Sequence, residues 1–211
     1  MEKTDSNVAG IYGLLATFFA REIDLKQLEM LRNPEFRDLL ETLGVNLGDD
    51  FFKRDATLLL EDLAVEFATL FIGPGNFISP HESVHRPRDD GDYGKLWGAD
   101  TVAVKKFIEA TGLAYRPEFG GMPDHIAAEF EFVQKIEERM ETARSDGDQD
   151  LAENLKSIKN RFLTEHLLAW GPGLMDKIMT NATLPFYREI AALAKNFLQQ
   201  EGELIQQQAV K

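Results

Sequence analysis

The spacing of apolar residues is helical along almost the whole chain, and this constrains the fold more than any other feature of the sequence. Near the N-terminus, large apolar side chains recur every three or four residues, which places them on one face of a helix. They are Val8, Tyr12, Leu15, Phe18 and Phe19. No segment combines apolar–polar alternation with the β-branched residues typical of strands. The sequence therefore predicts an all-α fold.

Capping residues and helix-ending glycines divide this pattern into about eight to ten helices, which we expect to form one globular domain over residues 1–211. Asp24 and Asn33 are typical N-terminal caps, and Pro34 suits the first position of a helix. A pattern rich in Phe and Leu predicts one long helix from about residue 49 to 70. Further helices are predicted at about residues 100–112, 123–144, 151–170, 172–180 and 185–206.

Two segments interrupt the helical pattern. Residues 73–94 carry several prolines and glycines and show no convincing periodicity. Loops of that length inside a compact domain are uncommon and often functional, so we predict a functional loop there. Residues 113–124 contain prolines and a Gly-Gly pair, which are typical of a hinge between two helical halves.

Composition limits the classes of binding partner and the cellular compartment that we expect for this chain. The 36 acidic and 23 basic residues give a formal net charge of −13, which repels phosphate backbones and anionic lipid. No run approaches the roughly 18 apolar residues of a membrane-spanning helix. We therefore expect neither nucleic acid binding nor stable membrane insertion. The chain has no cysteine, and its first residues lack the layout of a secretory signal, so a cytoplasmic location is expected.

The motif His81-Glu82-Ser83-Val84-His85 matches the H-E-x-x-H pattern of zinc metalloproteases. That pattern works because its two histidines lie one turn apart on a continuous helix. Here Pro87 pushes the preceding residue out of helical geometry, which leaves less than two turns. A zinc-dependent hydrolase that uses His81, Glu82 and His85 is one hypothesis for the function of the chain, and it is kept as an alternative to the function that the family resemblance described below implies.

A second polar group begins the helix predicted after the hinge. Pro123 and Asp124 suit a helix N-terminus, and His125 and Glu129, one turn apart, lie beside the apolar face of that helix. A histidine and a glutamate facing inward destabilise a protein unless they are hydrogen-bonded. The pair could hold a metal, act as acid and base, or anchor a polar group of a partner. It could equally bond to nearby backbone and fix the hinge.

Several stretches, in this order, resemble one family of proteins. They are EFATLFIGPG, SPHESVH, LWGADTVAVKKFIEATGL, PDHIAAEFEFV, EHLLAWGPGLMDKI and PFYREIAALAKNFL, and they run from about Glu66 to Phe197. Together they are similar to the TorD/DmsD/NarJ-type chaperones, the redox-enzyme maturation proteins that serve molybdenum oxidoreductases.

The resemblance implies an all-helical protein that is not an enzyme and carries no cofactor. Such chaperones bind the leader, often a twin-arginine signal peptide, of a molybdopterin-dependent catalytic subunit. They hold the apo form until its cofactor is inserted, and so proofread export by the twin-arginine (Tat) route in anaerobic respiration. Members occur as monomers or as domain-swapped dimers. A less specific alternative to this chaperone function is a helical adaptor that is unrelated to molybdoenzymes.

The resemblance also implies a set of peptide-binding residues. They are Phe67, Leu70, Phe71, Pro80, Glu82, Ser83, Gly98, Asp124, His125 and Glu129. Family members commonly carry aromatic residues where His81 and His85 stand, which is a departure in this chain. The physical chemistry fits a leader peptide, because arginines pair well with carboxylates and an apolar groove binds apolar segments with little sequence preference.

Overall fold

The computed structural model describes residues 5–89, 91, 94–114 and 122–209. None of these residues belongs to a strand, and the all-α prediction is confirmed. The α-helices are α1 Asp5–Ala20, α2 Leu25–Arg32, α3 Pro34–Thr42, α4 Gly48–Lys53, α5 Ala56–Phe67, α6 Glu82–His85, α7 Ala99–Ala110, α8 Ile126–Ser145, α9 Gln149–Phe162, α10 Leu168–Asn181 and α11 Pro185–Ala209. The segments Ala68–Ile72 and Leu163–Leu167 are π-helical.

The chain forms two compact units that are interleaved in sequence. The first unit comprises residues 1–20, 80–171 and 200–211, and the second comprises residues 21–79 and 172–199. The description of residues 1–211 as one domain stays a prediction. The residues at the centre of the predicted hinge, 115–121, lie outside the described residues.

The core of the first unit is built from α1, α8 and α9. Tyr12 and Phe19 of α1 pack against Phe130 of α8, with ring centroids 6.2 and 6.1 Å apart. Phe132 of α8 meets Phe162 of α9 at 4.5 Å. These rings are almost entirely buried, as the helical spacing predicted, and burial of such side chains is the main source of stability.

A buried ionic network ties four helices of the first unit together. Lys159 donates to Glu137 at 2.7 Å and to Glu201 at 3.0 Å, and the hydroxyl of Tyr12 donates to Glu201 at 3.1 Å. Burial lowers the pKa of Lys159, but the charges of Glu201 and Glu137 outweigh this and leave that pKa raised. Burial also raises the pKa of Glu137. The lysine is therefore held charged between the two carboxylates.

The single helix predicted for residues 49–70 is wrong, because the chain breaks between α4 and α5. Asp55 caps α5 by accepting from the backbone N–H groups of Thr57 (3.0 Å) and Leu58 (3.2 Å). On the α4 side of the break, the side chain of Arg32 donates to the backbone carbonyls of Phe51 (2.9 Å) and Arg54 (2.7 Å). Backbone groups that a continuous helix would pair internally are thus paired by side chains.

Glu66 fixes the start of α11 within the second unit. One of its carboxylate oxygens accepts from the Thr183 hydroxyl (2.7 Å), the Leu184 N–H (2.8 Å) and the Thr183 N–H. The hydroxyl of Tyr187, in the first turn of α11, donates to the carbonyl of Leu63 at 3.2 Å. These bonds satisfy donors at a helix N-terminus and hold α11 against α5.

Three further predictions about the bounds of helices and loops need correction. The helix expected to end near residue 170 continues from α9 through its π-helical segment into α10, with Pro172 inside the helix. Proline has no N–H, so Pro172 cannot donate the hydrogen bond that another residue would make at this position of the helix. The predicted loop at 73–94 contains the single helical turn α6. The helix expected from residue 123 begins at Ile126.

Candidate functional site

Two segments that are distant in sequence meet in the first unit through an antiparallel backbone bridge. Glu82 N–H donates to the carbonyl of Asp124 at 2.9 Å, and Ile126 N–H donates to the carbonyl of Pro80 at 2.8 Å. The bridge places His81 opposite His125, with their rings edge to face and their centroids 5.0 Å apart. The predicted loop residues and the predicted helix-start residues therefore belong to one site, which we call the bridged site and which is centred on residues 80–83 and 124–126.

Asp124 supplies the cap that α6 lacks. The N-cap residue of α6, His81, makes no capping hydrogen bond from its side chain. Instead, Asp124 Oδ2 accepts from the Ser83 N–H at 3.1 Å and from the hydroxyl of Thr101, in α7, at 2.9 Å. Asp124 is fully buried. A carboxylate at this position complements the free N–H groups of α6 and joins α6, α7 and the start of α8.

Gly98 lies against the same point of the site. A Cβ atom at residue 98 would come within 3.2 Å of the Cβ of Ser83, which is tighter than ordinary van der Waals contact. On the other side, the N–H of Gly94 donates to the carbonyl of Ser83 at 3.2 Å. Close approach of the backbone to Ser83 thus explains a glycine at position 98.

Glu82 is paired to a histidine and an arginine. It is fully buried, and its carboxylate lies 3.0 Å from Nδ1 of His166 and 2.7 Å from Arg86. Arg86 also lies 3.7 Å from Asp100, and Arg88 lies 3.6 Å from the same Asp100 oxygen. His166 was not predicted, because nothing in the sequence links it to a residue 84 positions earlier. The ion pair between Glu82 and Arg86 could have been predicted, because the two residues are four positions apart.

Glu129 is held by Trp170, which sequence reasoning also missed. The indole N–H of Trp170 donates to Glu129 Oε2 at 3.2 Å, and the indole stacks on His85 with centroids 5.6 Å apart. Burial and then the nearby charge of Glu82 raise the pKa of Glu129 well above its ordinary value. Position 170 carries one of only two tryptophans in the chain, which is the only signal that could have directed attention to it.

Two histidines of the site, His81 and His125, have lowered pKa values and are neutral near pH 7. Burial, assisted by the charge of His81, lowers the pKa of His125 to about 3. Burial also lowers the pKa of His81, although Asp124 opposes this shift. His81 precedes α6 and is not part of it, so the geometry of the zincin motif is not formed. Within the described ranges, no group of three His, Asp or Glu side chains is placed to hold a metal ion.

The remaining predicted residues belong to the second unit. Phe67 and Phe71 contact each other at a centroid distance of 5.0 Å and pack beside Tyr187 at 6.1 and 6.3 Å. Leu70 is also buried, and its carbonyl accepts from the Ile78 N–H at 2.7 Å. These three residues are therefore part of the second unit's core, and their role in binding stays a prediction.

The acidic residues of the site are internal, not displayed on a surface. Glu82, Asp124 and Glu129 have no exposed area, and Asp100 is 5% exposed. One oxygen on each of three carboxylates has no hydrogen-bond donor among the described residues: Asp100 Oδ2, Asp124 Oδ1 and Glu129 Oε1. Buried carboxylate oxygens are normally paired, so this cluster can accept further donors.

Comparison with known proteins identifies relatives along nearly the whole chain. A family model described as "Nitrate reductase delta subunit" matches residues 31–176, which is more than half of the chain. A "Chaperone protein TorD" from Aliivibrio salmonicida is 24% identical over 208 residues, covering 90% of this chain and 91% of that protein. One from Shewanella piezotolerans is 26% identical over 200 residues, covering 87% and 85%. Among the described helices, none combines the length and apolarity needed to cross a membrane.

Proposed function

Because the chain belongs to the nitrate reductase delta subunit family, we propose that it is a maturation chaperone for a molybdenum-cofactor oxidoreductase. In this proposal it binds the leader peptide of the catalytic subunit in the cytoplasm and holds the apo form until the cofactor is inserted. The observation that carries the proposal is the similarity, over about nine tenths of the chain, to proteins named TorD chaperones. Those names describe a class without enzymatic activity, in agreement with the prediction that the chain is not an enzyme.

The bridged site supports a binding role. Its carboxylates are engaged by other groups of the protein: Asp124 caps α6, Glu82 pairs with Arg86 and His166, and Glu129 accepts from Trp170. Groups held in this way orient neighbouring segments and do not present a free nucleophile. The site is therefore suited to holding a loop in a defined conformation for a partner.

An arginine pair in the leader would complement the acidic cluster. A guanidinium offers five donors in a planar fork, and carboxylate oxygens of Asp100, Asp124 and Glu129 lack donors within the described residues. Arg86 and Arg88 are partly exposed cations beside this cluster, with 34% and 29% of their side chains accessible, and Arg86 contacts both Glu82 and Asp100. We propose that a leader arginine reaches Asp100 and Glu82 by displacing Arg86, since the two guanidinium groups are chemically equivalent.

The test is a pull-down of the tagged protein from its native host grown anaerobically, with bound proteins identified by mass spectrometry. The expected result is a molybdopterin-dependent catalytic subunit whose leader is uncleaved. A parallel pull-down with Arg86→Lys is a matched variant, because it keeps the charge but not the planar fork. Recovery of no redox subunit under several respiratory conditions would contradict the proposal and favour the adaptor alternative. Stoichiometric zinc in the purified protein would instead favour the hydrolase alternative at His81, Glu82 and His85.

A further inference from the structure

The turn that precedes α7 exposes two large apolar side chains. Leu96 is 48% exposed and Trp97 is 61% exposed. In the first turn of α7, which follows directly, Ala99 and Val102 are exposed as well, and they share a helix face because they are three residues apart. We call these four residues the turn patch. Contiguous exposed apolar residues on a soluble protein commonly mark an interaction site.

Trp97 has an unusual backbone conformation. Its φ is +62°, and among the described non-glycine residues it alone has a positive φ. A positive φ at the third position of a turn is normally supplied by glycine or asparagine, because a bulky side chain is disfavoured there. Backbone outliers of this kind persist only where the surroundings impose them, and they cluster at functional sites.

The bridged site imposes this conformation from both ends of the turn. Before the turn, the N–H of Gly94 donates to the carbonyl of Ser83, and after it, Gly98 lies against the side chain of Ser83. Ser83 is in turn held through its own N–H by Asp124. The buried cluster thus fixes the position of an exposed tryptophan that makes no contribution to the core.

We propose that the turn patch binds the apolar stretch of the client leader, with Trp97 as its anchor. This inference rests on the proposed function and specifies which surface the leader contacts. Tryptophan is the residue most enriched among those that dominate binding energy at interfaces. The net charge of −13 disfavours acidic partners and favours basic ones, which fits an apolar segment preceded by arginines.

The two tryptophans of the chain allow a direct test by fluorescence. Trp170 is 4% exposed and Trp97 is 61% exposed, so acrylamide quenches mainly Trp97 in the free protein. The probe is the leader of the subunit recovered in the pull-down, synthesised with phenylalanine in place of any tryptophan. Binding is expected to protect Trp97 from quenching and to shift its emission to shorter wavelength.

Two variants complete the test. Trp97→Asn keeps a residue that tolerates positive φ, so we expect unchanged thermal stability and about tenfold weaker leader binding. Leu204→Gln, which alters another residue that is 51% exposed, is the control and should bind like the wild type. If the wild type binds the leader while Trp97→Asn binds equally well, or if quenching is unaffected by the leader, the inference fails and the proposed function stands. If the wild type binds no leader, both fail.

Discussion

Replacing Asp124 with alanine tests whether the bridged site is held together as the structure indicates. The substitution removes the acceptor for two buried donors, the Ser83 N–H and the Thr101 hydroxyl. Each buried donor left unpaired costs about 1–3 kcal/mol, and removal of a buried carboxylate recovers part of that loss. We therefore expect Asp124→Ala to lower the free energy of unfolding by about 2–4 kcal/mol. For a chain of this size, that corresponds to a fall in Tm of about 5–15 °C.

The assay is thermal and urea unfolding followed by tryptophan fluorescence, whose buried contributor, Trp170, belongs to the same unit. Asp124→Asn is expected to lose less, about 1 kcal/mol, because its amide oxygen can still accept from both donors. Asp89→Ala removes an exposed aspartate and should change stability by no more than about 0.5 kcal/mol.

A double-mutant cycle with Thr101→Val separates the hydrogen bond from other effects. Since valine removes the hydroxyl at nearly constant volume, the second substitution should cost much less in the Asp124→Ala background than in the wild type. Two observations would refute the reasoning: a loss below about 0.5 kcal/mol for Asp124→Ala, or strictly additive effects in the cycle.

Substitutions at two other buried charged residues, Glu129 and Lys159, give further tests. Because burial and the charge of Glu82 raise the pKa of Glu129 in the folded state, the wild type binds more protons when folded and loses stability as pH rises above the ordinary glutamate value of 4.5. Glu129→Gln, which can still accept from Trp170, should therefore unfold at higher temperature than the wild type at pH 8 but not at pH 4; equal Tm values at pH 8 would contradict this. Lys159→Met leaves two buried carboxylates without their cation and should lower the free energy of unfolding by about 3–5 kcal/mol in urea titrations, whereas Lys159→Arg should lose much less.

Local sequence determined the helices, because the interactions that begin and end a helix join residues close in the chain. Asp24 accepts from the N–H of Gln27 and Asn33 from that of Glu35, as expected for caps. The apolar face of α8 was predictable for the same reason, since its spacing follows the helical period. The resemblance to a chaperone family likewise came from motifs in the sequence, and the comparisons confirm it.

Tertiary structure decided which polar groups meet. Asp124 pairs with a residue 41 positions away, and Glu82 with one 84 positions away, and no local pattern carries that information. The same reason explains the break before α5, where Arg32 donates hydrogen bonds to the backbone carbonyls of a segment that is distant in sequence. Sequence reasoning identified Glu82, Asp124 and Glu129 as site residues but missed Asp100. Only packing showed that these carboxylates are buried and that Trp97 is exposed beside them. Residue type sets what a side chain can bond, whereas long-range packing sets whether solvent, a partner or the protein's own backbone receives that bond.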